Sequence, residues 1–132
     1  MATATGTTLH ERSADCCSIE LSAAVEDYLK EIFAITSLGD SATTSVIAER
    51  VGVRPPTVTA MLRRLRQAGL VEQVAWGRVA LTSHGKEHAC GVIRRHRLLE
   101  TFLHRVLGVP WDQIHDDAEV LEHHQSDRLE DL

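Results

Sequence analysis

Apolar side chains recur at helical spacing along most of the chain, and the breaks between these runs divide it into elements. From Ser22, a residue type that caps helices, one run extends to about Ser37. Its apolar positions are Val25, Leu29, Ile32, Phe33 and Ile35. Residues 38–41 interrupt the pattern, which therefore predicts a first helix that ends before them. The Thr-rich, aperiodic residues 1–18 predict a disordered arm.

The pattern next predicts a short helix over about residues 44–50, a turn at 51–53 and a longer helix that ends near Gly69. Pro56 is tolerated in the first turn of the longer helix, because the N–H groups of that turn have no helical partners. The apolar stripe of this helix consists of Val58, Met61, Leu62 and Leu65. Helix, glycine-containing turn and helix in this order are typical of a helix-turn-helix.

Two β-prone runs follow at residues 70–75 and 78–81, and only Trp76-Gly77 separates them. A two-residue connection that ends in glycine indicates a β-hairpin. With this hairpin as a wing, residues 19–82 are predicted to form a winged helix-turn-helix DNA-binding domain.

The remaining residues, 83–132, are predicted to form a helical domain, which makes the whole chain mainly α. A long helix extends from Thr82-Ser83 to about Leu107, where a Gly-Val-Pro sequence stops it. A short helix at 111–115 leads into a last helix from about residue 117. The chain stops inside this last pattern, which suggests either a piece of a longer protein or an unusually short form.

The charged residues are unevenly distributed, although the formal net charge is only −5. Residues 50–66 contain five arginines and no acid, whereas residues 111–132 contain eight acids and one arginine. The first segment favours a nucleic-acid partner and the second favours a cation. The three cysteines show no CxxC spacing and no apolar run approaches a membrane span, so we expect a cytoplasmic protein without a membrane partner.

The second helix of the helix-turn-helix carries the candidate DNA contacts. Small residues near its beginning can approach base edges, and its outward arginines can hold phosphates or guanine. An arginine in the hairpin is a candidate phosphate or minor-groove contact. The full set is Arg54, Pro56, Thr57, Thr59, Ala60, Arg63, Arg64 and Arg78. The alternative interpretation is an arginine-rich helix that is merely solvated.

Histidines and acids pair at helical spacings in the second half of the chain. His96 and Glu100 are four residues apart, and His115 and Glu119 repeat that spacing. Glu119, Glu122 and His123 also fall on one face of a helix, at i, i+3 and i+4. Imidazole nitrogens and carboxylate oxygens without a thiolate favour a divalent cation such as Mn(II) or Fe(II). The alternative is again a solvated face.

Over about residues 21–132 these features resemble the family of metal-dependent repressors that includes the diphtheria toxin repressor and the manganese transport regulators. The matching stretches are Val25-Glu-Asp-Tyr-Leu29, Ile47-Ala-Glu-Arg-Val-Gly-Val53, Pro56-Thr-Val58, Leu81-Thr-Ser-His-Gly85, Arg95-His-Arg-Leu-Leu-Glu100 and His115-Asp-Asp-Ala-Glu-Val-Leu-Glu-His123. The resemblance implies a winged-helix DNA-binding domain followed by a helical metal-binding and dimerisation domain.

The resemblance also implies two metal sites. The primary site would consist of Asp27, Glu119, Glu122 and His123, and the ancillary site of His96, Glu100 and His115. Iron-responsive members carry Met and Cys where this chain has Asp27 and Glu119, and manganese-responsive members carry Asp and Glu there. Replacing sulfur by carboxylate oxygen favours Mn(II) over softer ions.

Two departures from the family pattern affect these sites. Some manganese regulators place a ligating Glu where this chain has Lys30, and a protonated lysine cannot ligate a metal. We therefore expect two separate sites and not one bridged binuclear site. The larger members also have a C-terminal SH3-like domain, which this sequence lacks, so water is expected to complete the ancillary site.

By the resemblance we expect a cytoplasmic, Mn(II)-activated repressor of metal-homeostasis genes that binds a palindromic duplex operator as a homodimer, without a small organic substrate. The dimer contact is expected to use Leu99, Phe102, Leu103, Val106, Leu107 and Trp111. The alternatives are an iron-responsive repressor of the same family, a winged-helix repressor that does not respond to metal, and a metalloenzyme. The last is least expected, because the chain contains no HExxH motif, GxSxG motif or phosphate loop.

Overall fold

The computed structural model describes residue 19 and residues 21–131, apart from the side chain of Asp127. Its elements are α1 Ala23–Ser37, α2 Thr44–Val51, α3 Pro55–Gln67, β1 Val71–Val74, β2 Arg78–Leu81, α4 Ser83–Arg105, α5 Trp111–Glu122 and α6 Asp127–Glu130. This order confirms the mainly α class and the winged helix-turn-helix. The predicted disordered arm, residues 1–18, lies outside the described residues.

Local hydrogen bonds explain where the early helices begin and end. The Ser22 hydroxyl accepts a hydrogen bond from the Val25 N–H, and the Thr43 hydroxyl accepts one from the Val46 N–H. Gly52 ends α2 at a φ of 81°, a left-handed conformation that glycine adopts without a steric penalty. The chain can therefore reverse tightly between α2 and α3.

The chain divides into two compact units between Ala89 and Cys90. In the first unit, α1, α2, α3 and the hairpin enclose an apolar core. Its fully buried side chains include Val25, Leu29, Ile32, Ile35, Ile47, Val58, Leu65 and Leu70. The predicted stripe of α3 is confirmed, with Met61 only partly buried.

Burial raises the pKa of the Tyr28 hydroxyl, because the ionised form loses its hydration.

The wing is a two-stranded antiparallel hairpin that is anchored at its base. Val71 pairs with Leu81 and Val74 with Arg78 across the two strands. The hairpin is confirmed, but the prediction of a two-residue connection is wrong, because β1 ends at Val74 and residues 75–77 form the loop. The Val79 N–H donates to the Ala42 carbonyl oxygen at 3.0 Å, which joins β2 to the segment before α2. Strand β2 is thus fixed to the helix-turn-helix.

In the second unit, one prediction about the helices is wrong. A short helix at 111–115 followed by another from residue 117 was expected, but α5 is continuous from Trp111 to Glu122. No Gly or Pro interrupts this segment, and Ile114 and Ala118, four residues apart, are both buried on one face. The helix then ends, and the four-residue α6 follows after a turn.

Ion pairs attach α6 to α4. The Glu130 carboxylate lies 2.6 Å from an Arg94 guanidinium nitrogen and 3.9 Å from Arg95. Within the described part of the chain, no helix combines the length and apolar character needed to cross a membrane.

Gly85→Ala should destabilise the first unit by about 2–3 kcal/mol in chemical denaturation. A Cβ at this position would lie 2.0 Å from the Leu70 carbonyl oxygen, which cannot move without disturbing the start of the hairpin. Gly91→Ala on the same helix is the matched control, because its nearest neighbour would be the Arg95 guanidinium at 3.7 Å. The control should be neutral or stabilising by up to about 1 kcal/mol. Equal unfolding midpoints for both variants would contradict this account.

Candidate metal centre and nucleic-acid interface

The outer face of α3 exposes the predicted DNA contacts. Arg54 is the N-cap residue but makes no side-chain capping bond, and Pro55 and Pro56 occupy the first turn. The remaining exposed positions are Thr57, Thr59, Ala60, Arg63 and Arg64. Because Val58, Leu62 and Leu65 are buried on the opposite side, the fold fixes which face these residues present. The face carries no acidic side chain.

Arg78 is half-buried at the start of β2 and not fully extended into solvent. Its Nε donates to the Ala75 carbonyl oxygen at 3.0 Å, which steadies the turn of the hairpin. Arg66 Nη1 donates to the Gln73 side-chain oxygen at 3.0 Å and joins α3 to β1. The first bond therefore holds the hairpin turn, and the second joins the hairpin to α3.

In the second unit, α4 and α5 bring His96, Glu100 and His115 together. Each offers one ligand atom, and these atoms all lie within 4.8 Å of one another. His96 Nε2 lies 3.2 Å from a Glu100 oxygen and 3.1 Å from His115 Nδ1. The residues assigned to the ancillary site by resemblance thus form a cluster in this structure.

His96 also contacts a residue of the other predicted site. Its Nδ1 lies 2.5 Å from Glu122 Oε2, and the Glu122 side chain is completely buried. Glu122 Oε1 in turn lies 3.5 Å from His123 Nε2. Since both ring nitrogens of His96 are engaged, one imidazole connects the two predicted sets of ligands.

The end of α5 is held by a buried arginine. Arg95 Nε donates to the Glu122 carbonyl oxygen at 3.2 Å, and its side chain is nearly inaccessible. A carbonyl in the last turn of a helix has no partner within the helix, so this bond satisfies a group that would otherwise be costly to bury. Arg95 thereby fixes the backbone that carries Glu122 and His123.

The ancillary cluster fits a divalent transition metal in its donor types and spacing. Metal–ligand bonds of about 2.1 Å separate adjacent donors by roughly 3 Å and opposite donors by roughly 4.2 Å. The separations among His96, Glu100 and His115 fall in or near this range, at 3.1, 3.2 and 3.7 Å. Two imidazoles and a carboxylate suit Mn(II), Fe(II) or Zn(II) better than Ca(II).

The predicted primary ligands fall in both units. Asp27 is half-buried on α1 of the first unit, and Glu119, Glu122 and His123 lie at or beside the end of α5 in the second. Glu119 Oε1 lies 3.8 Å from His115 Nε2. That these four residues share one ion stays a prediction.

Reasoning from sequence spacing missed two features of this centre. The His96–Glu122 contact joins residues 26 positions apart, and Arg95 reaches Glu122 across 27 positions, so helical spacing could reveal neither. A weak signal for Arg95 existed in the sequence, because it lies at helical spacing from the apolar residues Val92 and Leu99. One expected dimer residue is wrong: Leu103 is buried within the chain and has no surface to offer a partner.

Two family models match the chain. Residues 20–76 match the model described as "Iron dependent repressor, N-terminal DNA binding domain". Residues 82–132 match the model described as "Iron dependent repressor, metal binding and dimerisation domain". The two matches follow the order of the DNA-binding face and the metal cluster along the chain.

Curated relatives agree with these matches. The chain is 37% identical over 112 residues to the HTH-type transcriptional regulator MntR of Bacillus subtilis (strain 168). This match covers 82% of the chain and 78% of that protein. The chain is also 34% identical over 111 residues to the iron-dependent repressor IdeR of Mycobacterium tuberculosis (strain CDC 1551 / Oshkosh). That match covers 84% of the chain and 48% of IdeR.

A solved structure described as a manganese-dependent transcriptional repressor in complex with manganese has a TM-score of 0.71 and 48% identity. The match covers 79% of this chain and 48% of that one, so the chain spans about half the length of this solved relative.

His123→Ala should weaken Mn(II) binding by about tenfold or more, a loss of at least about 1.4 kcal/mol. The His123 side chain is only 10% exposed beside buried Glu122, whereas that of His115 is 63% exposed. His115→Ala should therefore have a smaller effect, and His104→Ala, which lies outside both predicted sites, should have none. The electron paramagnetic resonance signal of free Mn(II) measures binding, and circular dichroism should show unchanged helix. Equal affinities for wild type and His123→Ala would remove His123 from the primary site.

Proposed function

Because the chain belongs to the iron-dependent repressor family of metal-responsive transcriptional repressors, we propose that it is a Mn(II)-activated repressor that controls metal-ion homeostasis. The observation that carries the choice of metal is the chemistry of the donors. Every predicted ligand offers nitrogen or oxygen, and Asp27 and Glu119 are carboxylates. Hard oxygen donors favour Mn(II) over softer ions. The relatives named MntR and the solved structure described as a complex with manganese support the same choice.

The proposed DNA surface is the exposed face of α3 together with the hairpin. Thr57, Thr59 and Ala60 are short enough to approach base edges, and Arg63 and Arg64 are placed to hold phosphates. Arg54 and Pro56 at the start of α3 and Arg78 at the hairpin complete the proposed set. In a family of DNA-binding repressors, a merely solvated arginine-rich helix is the weaker interpretation.

The proposed primary site consists of Asp27, Glu119, Glu122 and His123, and the proposed ancillary site of His96, Glu100 and His115. When bound, a divalent ion supplies positive charge that several carboxylates can share. Asp27 belongs to the DNA-binding unit and the other three primary ligands to the metal-binding unit. A shared ion therefore gives metal binding a way to favour the DNA-competent arrangement, and by linkage DNA binding must favour the ion equally.

We further propose a cytoplasmic homodimer on a palindromic duplex operator. Phe102, Val106, Leu107 and Trp111 are between 47% and 71% exposed, which is unusual for large apolar side chains and supports a protein contact at this end of α4. A symmetric dimer presents two copies of α3, which suits half-sites one helical turn, about 34 Å, apart.

An iron-responsive repressor remains the second candidate, and the match to IdeR favours it. The family consists of transcriptional repressors and not of metalloenzymes.

The test of the proposed function is binding of the metal-free protein to duplex DNA, titrated separately with Mn(II), Fe(II), Zn(II) and Co(II). The duplex is first selected from a random pool for binding in Mn(II). For each metal, the free concentration that gives half-maximal DNA binding is divided by the free concentration of that metal in cells. This ratio should be lowest for Mn(II). DNA binding that ignores all four metals would support a repressor that does not respond to metal, and no DNA binding would refute the proposal.

Asp27→Met combined with Glu119→Cys should shift activation away from Mn(II) and towards Fe(II) or softer ions. The double change replaces two hard oxygen donors by two soft sulfur donors. The same four titrations measure the shift, and Asp40→Met, an exposed acid outside the proposed sites, serves as the control. Identical activation profiles for wild type and double variant would contradict the proposed basis of selectivity.

Arg63→Ala or Arg64→Ala should weaken binding to specific and random duplexes alike. If each arginine neutralises one phosphate, the slope of log K against log salt should become about one unit less steep. Arg94→Ala removes the same charge from the second unit, where the side chain pairs with Glu130, and should leave the slope unchanged. Loss at a single base pair with an unchanged slope would instead indicate base recognition.

A further inference from the structure

The tip of the hairpin carries an exposed tryptophan that the proposed DNA contacts do not include. Trp76 is 88% exposed, more than any other large apolar side chain in the described part of the chain. Tryptophan side chains are enriched at interfaces, because they combine a large apolar ring with one N–H donor, so this exposed indole is a candidate contact.

The backbone at Trp76 is also unfavourable for this residue type. Its φ is 65° and that of Gly77 is 69°, and both lie in the left-handed region that favours glycine, within the three-residue loop 75–77 between Val74 and Arg78. Asn, Asp and Gly adopt the first of these positions readily, whereas a bulky side chain there carries a steric cost. The turn would therefore be more stable with Asn at this position, and the sequence keeps a tryptophan.

The tip is presented on a firm base. Val71, Val79 and Leu81 are buried in the core of the first unit. The Arg78 side chain donates to the Ala75 carbonyl oxygen, and Arg78 also forms a backbone bridge with Thr43. Trp76 thus projects from a hairpin whose strands are held on both sides.

The charge of the surrounding segment indicates what the indole meets. From Arg50 to Lys86 the chain has seven basic residues and a single acid, Glu72. The Arg66–Gln73 hydrogen bond connects the hairpin to the arginine-rich helix α3. A flat apolar ring with one N–H donor, on a hairpin joined to an arginine-rich helix, is complementary to a sugar–phosphate backbone.

We propose that the Trp76 indole packs against the deoxyribose–phosphate backbone of duplex DNA beside the segment that α3 contacts, with Nε1–H donating to a phosphate oxygen. This inference rests on the proposed DNA-binding function and adds a residue to it. Because the sugar–phosphate backbone is the same for every sequence, the contribution of the indole is independent of sequence. Because the indole neutralises no phosphate charge, its contribution is also independent of salt.

The decisive variant is Trp76→Asn, because its effects on stability and on binding have opposite signs. Asn suits the positive φ, so the midpoint of thermal unfolding should rise or stay the same. Binding to a selected duplex and to a random-sequence duplex should both weaken by about tenfold, because a hydrogen bond to a charged phosphate is lost. The slope of log K against log salt should not change, unlike that of Arg63→Ala. Leu38→Asn is the matched control, since Leu38 is 72% exposed in another loop of the same unit.

Tryptophan fluorescence gives a second, direct measurement. The chain has two tryptophans, and Trp111 remains in the Trp76→Asn variant as a reference. Adding duplex DNA to the Mn(II)-loaded wild type should quench or shift the emission, and this change should be lost in the variant. Both proteins are also titrated with Mn(II) alone, which separates a protein contact of Trp76 from a DNA contact.

Two results would overturn the inference while leaving the proposed function intact. One is equal DNA affinity of wild type and Trp76→Asn. The other is a Trp76 fluorescence change that appears with Mn(II) alone and does not increase with DNA, which would indicate a protein contact. If the wild type binds no duplex with or without Mn(II), the proposed function fails and the inference falls with it.

Discussion

The contact between His96 Nδ1 and Glu122 Oε2, at 2.5 Å, is the interaction on which the metal-binding half depends. Glu122 is completely buried, and a buried carboxylate without a partner is strongly destabilising. His96 supplies that partner from α4. The other nitrogen of the same ring faces Glu100 and His115, so the orientation of one imidazole is fixed from both sides.

Arg95 completes this arrangement from the neighbouring position on α4. It donates to the Glu122 carbonyl oxygen and lies near the Glu130 carboxylate of α6. The acidic end of the chain is therefore organised by cations and imidazoles on one long helix. Ligands held in this way lose little conformational freedom when an ion binds, which favours affinity and a defined geometry.

The two units have separate roles in the proposed function. The first unit has an apolar core that fixes the arginine-rich face of α3 and the wing, while the second concentrates donors for a cation. Neither property requires the other. Coupling requires residues from both units to contribute to one site, and Asp27 is the residue of the first unit proposed for that role.

Much of the fold could be predicted from the sequence because its signals are local. Ser22 and Thr82 cap helices where expected, Gly52 ends α2, and the hairpin turns at Trp76-Gly77, although its loop begins one residue earlier than expected, at Ala75. The error at α5 was also local: two helices were expected from residue 111 onward, but burial of Ile114 and Ala118 on one face keeps the helix continuous. Local propensity yields to packing in such cases.

The candidate site was predictable only in part. The i, i+4 spacing of His96 and Glu100 indicated a pair, but their meeting with His115 depends on how α5 packs on α4, and the resemblance supplied it. The roles of Arg95 and of the His96–Glu122 contact depend on tertiary structure alone. Leu103 shows the converse, since an apolar position on α4 was expected at a dimer contact and is buried within the chain.

In the proposed function, metal and DNA bind to the same state of the protein. The most direct measurement is the affinity for Mn(II) with and without a saturating amount of duplex selected for binding. Linkage requires DNA to raise the Mn(II) affinity by the same factor by which Mn(II) raises the DNA affinity. Equal factors, each well above one, are the predicted result, and an Mn(II) affinity that DNA leaves unchanged would contradict the account.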